Sequence, residues 1–340
     1  MPILAERLTA QLLAGPPARD PVAVADRLLA IQAQDARGAR LSIRARTTGL
    51  TVADVDRELT ERRSLLITWL NRGTLHLVRR EDYPWLQSLT APSLSTGIAR
   101  RLAQEGVSPD AAERGVRAIE AVLADQGPLD RDRLRQHLAA ADVPTRGQAF
   151  IHLLGLASIR GLIVRGPMLG PKQGFVLVRD WLGQPDPVDR DRALGELARR
   201  YLAGHGPADA YDLAKWAGLP LRDARRGLRS VASQLHERED GLVDLRRRSA
   251  PAPLPEPRLL GSFEPVLLGW RSRSLLVGDH EARLVRGGMF RPLALVRGRA
   301  SATWTLSGQD VALEPFRRLT REDRAALEVE ARDVVRFLAS

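Results

Sequence analysis

Two glutamines interrupt an apolar run near the start of the chain. In Ile31-Gln32-Ala33-Gln34-Asp35 the amides of Gln32 and Gln34 stand two residues apart and directly precede a carboxylate. Because a buried amide needs hydrogen-bond partners, this placement indicates either contact with a ligand or a helix terminus. On an ideal helix the two side chains lie about 200° apart, so both reach one ligand only if the helix ends or distorts there.

Arginines follow these glutamines at helical spacing. Arg37, Arg40 and Arg44 stand at i, i+3 and i+7, so in a helix their guanidinium groups share one face. Such a face suits a nucleic acid, because the guanidinium fork matches phosphate geometry. The formal net charge of +11, with Lys172 and Lys215 the only lysines among 52 basic residues, agrees with such a partner. A GC-rich genome, which favours arginine codons, is the alternative explanation of this bias.

The overall composition is that of a soluble globular protein. With 340 residues, of which 44% are hydrophobic and 27% charged, we expect two or three domains that each bury a core. The chain has no cysteine, which excludes disulfides, iron–sulfur clusters and thiolate zinc sites. Neither a signal segment nor an apolar run of about 18 residues is present, so we expect a cytoplasmic, nucleoid-associated protein.

Several motifs that mark enzyme classes are missing. The sequence has no G-x-G-x-x-G after a strand, no G-x-x-x-x-G-K-S/T, no G-x-S-x-G and no H-E-x-x-H. The sequence therefore carries no motif that would assign it to the dinucleotide oxidoreductases, P-loop NTPases, α/β hydrolases or zincins. The glycines around Lys172 have the wrong spacing for a phosphate loop and indicate a loop between two strands. We expect neither a metal nor a nucleotide cofactor.

Helical and strand-like segments alternate in a repeating order. A helix is predicted to start at Asp20-Pro21 and to run through Ile31, and another to start at Thr51 with Asp54 as its capping partner. Two extended runs, Leu65–Leu70 and Thr74–Val78, then form a hairpin. The same order recurs twice, as helices near 109–125, 130–140 and 146–160 before strands at 162–165 and 175–178, and as helices near 189–204, 208–217 and 221–230 before strands at 234–238 and 242–245.

An internal repeat supports tandem modules. Gly127-Pro128-Leu129-Asp130 matches Gly206-Pro207-Ala208-Asp209, and helices closed by a hairpin are typical of the winged helix-turn-helix. We predict an α+β fold, mostly helical, with winged-helix modules at 1–106, 107–185 and 186–249. A proline-rich connector at 250–257 leads to a β-rich module at 258–340, which closes with a helix capped by Thr320.

Four segments together resemble a known family. They are the Gln32–Asp35 block with its arginines, the run Thr68–Val78, and the late runs Leu267–Arg273 and Gly287–Pro292. In this order, over nearly the whole chain, they resemble the tandem winged-helix DNA glycosylases of the AlkZ type. Relatives often have Gly-x-x-x-Gly-Thr-Trp in the last module, whereas this chain has Ser301-Ala302 where the second glycine is expected.

The resemblance implies a specific activity. Members remove N7-alkylated purines, including bulky adducts and some interstrand crosslinks, and Gln32 and Gln34 match the Gln-x-Gln pair of the family. A sister branch has Asp at the second position, where this chain has Gln34 followed by Asp35. We therefore expect a monofunctional, monomeric glycosylase that acts on double-stranded DNA with alkylated purines. A noncatalytic winged-helix protein such as a transcription regulator is the alternative.

Within this hypothesis each candidate residue has an expected role. Gln32 and Gln34 are the predicted catalytic residues, and their carbonyls orient a water below the sugar. Asp35 is the rival base, because it carries the charge that the amides lack. His76, in a predicted strand between two leucines, either contacts the substrate site or makes a structural hydrogen bond. The predicted DNA-binding residues are arginines, namely Arg37, Arg40, Arg44 and Arg72.

Overall fold

The computed structural model describes residues 2–184 and 186–339. The chain divides into two compact units, each with its own packing. The first unit contains Met1–Val55, Leu194–Trp216 and Pro220–Ser340, and the second contains Asp56–Ala193 and Ala217–Leu219. The limits of the four modules predicted from the sequence remain a proposal, because the two units are defined by contacts within the fold and not by the extent of a repeat.

Helices dominate the described residues, and several are single short turns. In chain order they are α1 (Pro2–Ala10), α2 (Pro21–Leu28), α3 (Ala36–Arg44), α4 (Val52–Thr60), α5 (Tyr83–Gln104), α6 (Pro109–Gln126), α7 (Arg131–Ala140), α8 (Ala149–Ile159), α9 (Val178–Trp181), α10 (Arg190–His205), α11 (Ala210–Ala217), α12 (Leu221–Ser230), α13 (Pro265–Leu268), α14 (Ser274–Val277), α15 (Glu281–Leu284) and α16 (Arg321–Leu338).

The strands are short and pair antiparallel in small sheets. In chain order they are β1 (Ile31–Gln32), β2 (Leu65–Leu70), β3 (Thr74–Arg79), β4 (Ile163–Leu169), β5 (Lys172–Leu177), β6 (Leu235–Glu237), β7 (Val243–Leu245), β8 (Arg258–Leu260), β9 (Val285–Arg286), β10 (Met289–Phe290), β11 (Leu293–Val296), β12 (Arg299–Ser307) and β13 (Asp310–Pro315). Together with the helices they confirm the predicted α+β class.

The repeat predicted from the Gly-Pro segments has a structural counterpart. Leu129 forms an isolated antiparallel bridge to Phe175 on β5, and Ala208 forms one to Val243 on β7. In both places the residue after Gly-Pro joins the hairpin that follows the helices, and an aspartate comes next. The β4–β5 hairpin is present, but Lys172 is the first residue of β5 and not part of the loop between the strands, and it contacts Asp132 at 2.6 Å.

The first unit is built around a four-stranded sheet in the order β13-β12-β11-β8. Helix α16 packs on β8 and on α3, and buries Leu327, Val334 and Phe337. The hydroxyl of Thr320 accepts a hydrogen bond from the amide of Asp323 at 3.0 Å, which confirms the predicted cap of the closing helix. The sheet and α16 thus form the base on which α3 rests.

The second unit has its own sheet and two long helices against it. Strands β3, β2, β4 and β5 lie side by side in that order, with Ile67 of β2 opposite Arg165 of β4. Helices α5 and α8 pack against each other and against β2, and bury Leu86, Leu89 and Leu153. Among the described helices, none combines the length and apolar character that crossing a bilayer requires.

The helix at Asp20-Pro21 is shorter than predicted. It begins at Pro21, with Asp20 accepting from the amide of Ala23 at 2.7 Å, but ends at Leu28. Leu29 has φ 65°, a left-handed conformation that stops the helix. The prediction that this helix runs through Ile31 is wrong, and Ile31 and Gln32 form β1 instead.

Candidate active site

The Gln32–Asp35 segment lies in a break between two helices. After α2 ends, the chain runs through β1, bends at Gln34 and enters α3 at Ala36. This break is the condition under which we expect both amides to reach one ligand.

Burial distinguishes the two amides. Gln32 is only 5% exposed, between Ile31 and Ala33, which are also buried, whereas Gln34 is exposed at the bend. Burying an amide costs free energy unless it is hydrogen-bonded. The buried neighbours of Gln32 also restrict the movement of its side chain. The pair thus combines one fixed amide with one that is open to solvent.

Asp35 has a structural task at the start of α3. Its Oδ1 accepts from the amide of Arg37 at 3.0 Å as the helix N-cap, and its Oδ2 accepts from the hydroxyl of Ser262. Gly38 allows this approach, because a Cβ at that position would lie 2.4 Å from the carbonyl oxygen of Ser262. One carboxylate oxygen therefore caps α3, and the other joins the start of α3 to Ser262.

The arginines after Asp35 do not form one exposed face. Arg37 is exposed, but Arg40 is buried and donates from Nη1 to the carbonyl of Ala36 at 3.0 Å. Arg44 is 4% exposed and pairs with Glu330 and, at 2.9 Å, with Asp333 of α16. The expected DNA contact of Arg44 is thus replaced by ion pairs that join α3 to α16, because these carboxylates reach its guanidinium in the interior.

Arg46 continues this pattern with a fully buried ion pair. Its Nη2 lies 2.6 Å from Oε1 of Glu264, and both side chains have no exposed surface. Its other nitrogens donate to the carbonyls of Gln11 and Ser42 at 2.7 and 2.8 Å. Sequence analysis did not identify Glu264, although a single acid in the apolar run Phe263–Leu268 is a signal that could have found it.

The second unit holds the other predicted site residues in the β2–β3 hairpin. The hairpin is confirmed, with Thr68 opposite His76, and its turn places Arg72 at φ 58°. His76 is 2% exposed, like its buried neighbours Leu75 and Leu77, so it does not face solvent on the side opposite the leucines. Its Nδ1 lies 2.9 Å from the carbonyl of Thr74, so this nitrogen carries the proton and Nε2 is an acceptor.

Burial controls the charge of this hairpin. It lowers the pKa of His76 to about 3, with the charge of Arg72 as a further cause, so the imidazole is neutral at physiological pH. Burial also lowers the pKa of Arg72 to about 10, which leaves the guanidinium charged. A neutral His76 can accept a hydrogen bond but offers no positive charge to phosphate.

No metal centre accompanies these residues. Within 2–184 and 186–339, no group of three or more histidines and carboxylates is placed to hold an ion. In the first unit the Gln32–Asp35 segment offers two amides and an N-capping carboxylate, and in the second unit the β2–β3 hairpin offers a neutral imidazole and a guanidinium group.

Comparisons with known proteins show the family to which the chain belongs. The family description "DNA glycosylase AlkZ-like" matches residues 25–337. The chain is 28% identical, over 92% of its length and 89% of the relative's, to an interstrand DNA cross-link repair glycosylase of Streptomyces sahachiroi. The solved structure of the S. sahachiroi DNA glycosylase AlkZ is 26% identical and covers 98% of this chain, with 95% of its own chain covered and a TM-score of 0.79. A noncatalytic regulator is thereby set aside, and the chain belongs to the AlkZ-like family of DNA glycosylases.

Proposed function

We propose that this glycosylase hydrolyses the N-glycosidic bond of N7-alkylated purines in double-stranded DNA and leaves an abasic site. The observation that carries the proposal is the placement of Gln32 and Gln34 in the break between α2 and α3, with one amide buried and the other exposed. A regulator that only reads base edges has no use for such a pair.

The chemistry of the substrate explains why amides suffice. Alkylation at N7 gives the purine a positive charge, so the base leaves readily through an oxocarbenium-like transition state. Little acid catalysis is needed. The carbonyl oxygens of Gln32 and Gln34 then orient a water toward C1′ and favour the positive charge that develops on the sugar, which is positioning and electrostatics rather than strong base catalysis.

Asp35 is a second candidate for the base, and its hydrogen bonds argue against it. Its carboxylate already accepts from the amide of Arg37 and the hydroxyl of Ser262, so its position is set by the helix cap and by Ser262 rather than by a water. His76 is a weak base with a pKa of about 3, so we assign it a role as a hydrogen-bond acceptor in the hairpin. Arg37 and Arg72 remain proposed phosphate contacts.

We infer a monofunctional reaction that leaves the strand intact. Strand cleavage by a glycosylase requires an amine that forms a Schiff base with the sugar. Lys172 is paired with Asp132 at 2.6 Å, and Lys215 donates to the carbonyl of Arg271 at 3.0 Å. Neither these lysines nor the N-terminal amine belongs to the Gln32–Asp35 segment, so we expect the abasic product to persist.

The substrate range is proposed to include bulky adducts and interstrand crosslinks. The support is the similarity to the S. sahachiroi relative, an interstrand DNA cross-link repair glycosylase. We propose that the protein does this as a monomer, without a metal or nucleotide cofactor. Mass measurement in solution tests the monomeric state. The activity assay, run with and without a chelator, tests whether a metal is needed.

Release of base from a defined duplex tests the proposal. A 20-base-pair duplex with one N7-methylguanine is incubated with the protein, and an unmodified duplex of the same sequence serves as the control. We expect free N7-methylguanine by mass spectrometry and an intact abasic strand on a denaturing gel. Absence of released base, at a protein concentration that saturates DNA binding, contradicts the proposed substrate class.

A further inference from the structure

Helix α12 presents a row of arginines that the glycosylase chemistry does not use. The residues at i, i+3, i+4 and i+7 of this helix are all exposed, namely Arg222, Arg225, Arg226 and Arg229. On a helix these positions fall within about 100° of arc, so the four guanidinium groups share one side. The carboxylate of Asp223 lies 3.8 Å from Arg222, and it is the only acidic residue of α12.

The opposite side of α12 is built for close packing. Ala224 and Gly227 are buried, and a Cβ on Gly227 would lie 2.4 Å from the carbonyl oxygen of Leu194 on α10. Gly195 of α10 faces Ser230 in the same way, since its Cβ would lie 2.6 Å from that hydroxyl. This contact fixes the orientation of α12, so the arginine row is held outward by the fold.

An exposed tyrosine extends the basic surface. Tyr211 of α11 is 45% exposed, and its ring lies 5.5 Å from the guanidinium carbon of Arg225 and 5.0 Å from that of Arg271. Arg225 also donates to the hydroxyl of Tyr211 at 3.3 Å. These cation–π contacts on an exposed ring restrict both guanidinium groups, and Nη2 of Arg271 also lies 3.9 Å from Oδ2 of Asp209.

We propose that the arginine row of α12 binds the phosphate backbone of duplex DNA. The row extends over seven residue steps, about 10 Å of helix, a length over which duplex DNA carries on the order of six phosphates on its two strands. Helix α12 is also the last of the three helices, α10, α11 and α12, that precede the β6–β7 hairpin. In helix-turn-helix proteins the recognition helix of such a set lies in a DNA groove. The inference rests on the proposed function because it takes duplex DNA as the partner.

Salt-dependent binding of a matched pair of variants tests this surface. Arg222→Gln/Arg229→Gln removes two charges from α12, and Arg321→Gln/Arg324→Gln removes two exposed charges at i, i+3 from α16 in the same unit. The probe is an undamaged, fluorescent 20-base-pair duplex, followed by anisotropy from low to high salt. We expect the α12 variant to make the log–log slope less negative by about 1.8, and to bind roughly 60-fold more weakly at 0.1 M salt. The α16 variant keeps the slope of the unaltered protein.

Three results would contradict the proposal that α12 binds duplex DNA, and one assay tests this proposal separately from the proposed function. An unchanged slope for the α12 variant, an equal change for the α16 variant, or stronger competition by a single strand than by the duplex contradicts duplex binding by α12. Release of N7-methylguanine is measured in parallel at saturating protein. If the unaltered protein releases no base but the α12 variant still shows the expected change in salt slope, the proposed substrate is wrong and the DNA-binding surface is supported.

Discussion

Mild acid should destabilise this protein through two buried histidines. His76 in the second unit and His205 in the first are 2% and 0% exposed, and burial lowers the pKa of each to about 3. In the unfolded chain a histidine has its ordinary pKa of about 6.5. Since the folded pKa lies below the unfolded one, stability is highest above pH 6.5 and falls as the pH drops from 6.5 toward 3.

The size of the effect follows from these two pKa values. Between pH 7 and pH 5 the unfolded state gains protons that the folded state does not, which costs about 2 kcal/mol for each histidine. Through the two histidines the protein loses about 4 kcal/mol of unfolding free energy, a large share of the 5–15 kcal/mol that is typical of a domain. Carboxylates contribute mainly below pH 5, so this window isolates the histidines.

His205 allows the contribution of one histidine to be measured. Its ring stacks on Tyr201 at 4.8 Å and lies 5.1 and 5.9 Å from Trp216 and Trp270, so a phenyl ring fits the aromatic site. His205→Phe should remove about 2 kcal/mol of the acid-induced loss, while costing about 1 kcal/mol at pH 8 for the hydrogen bond to Tyr201. His236→Phe, at an exposed histidine, is the control and should change neither value.

Urea unfolding at pH 8, 7 and 5, followed by tryptophan fluorescence, measures these differences. Trp216 and Trp270 contact His205 and therefore report on the first unit. If His205→Phe loses as much stability between pH 7 and pH 5 as the unaltered protein does, His205 is not a buried neutral histidine and the reasoning is refuted.

Three further predictions concern the ion pairs and the reaction. Glu264→Gln should cost about 3–5 kcal/mol of unfolding free energy, since it leaves the Arg46 charge buried without its partner, whereas Glu328→Gln at an exposed position of α16 should cost almost nothing in the same urea titration. Arg37→Ala should weaken DNA binding and make the salt slope less negative by about 0.9, while the single-turnover rate at saturating protein stays unchanged; a slower rate at saturation would place Arg37 in the chemistry. Borohydride should trap no covalent protein–DNA adduct during turnover, and a trapped adduct would show that an amine attacks the sugar.

The sequence predicted the elements well where periodicity and caps agree. The two later sets of helices, the hairpins and the Thr320 cap are confirmed, because apolar spacing and turn residues act locally. Helix α5 was not identified, since its 22 residues include Pro92 and many small residues that weaken the periodic pattern. Leu29 ended α2 early through a left-handed backbone that no residue-type rule predicts for leucine.

The site was predicted in its residue types but not in its partners. Arg44 fits the pattern of a phosphate-binding face, yet the carboxylate of Glu330 with which it pairs lies 286 residues away in the chain. A single sequence carries no signal that pairs such distant residues. The arginine row of α12, in contrast, is visible in the local spacing of Arg222, Arg225, Arg226 and Arg229.

Single-turnover kinetics of glutamine variants tests the central claim most directly. Gln32→Ala and Gln34→Ala should each slow release of N7-methylguanine by roughly ten- to a thousandfold at saturating protein, the range seen when one positioning or electrostatic group is removed. Binding of the same duplex should stay close to that of the unaltered protein, because the phosphate contacts remain. Asp35→Asn should retain most of the rate, since an amide oxygen still caps α3. Unaltered rates in both glutamine variants, with the rate lost in Asp35→Asn, would assign the base to the carboxylate and contradict the account.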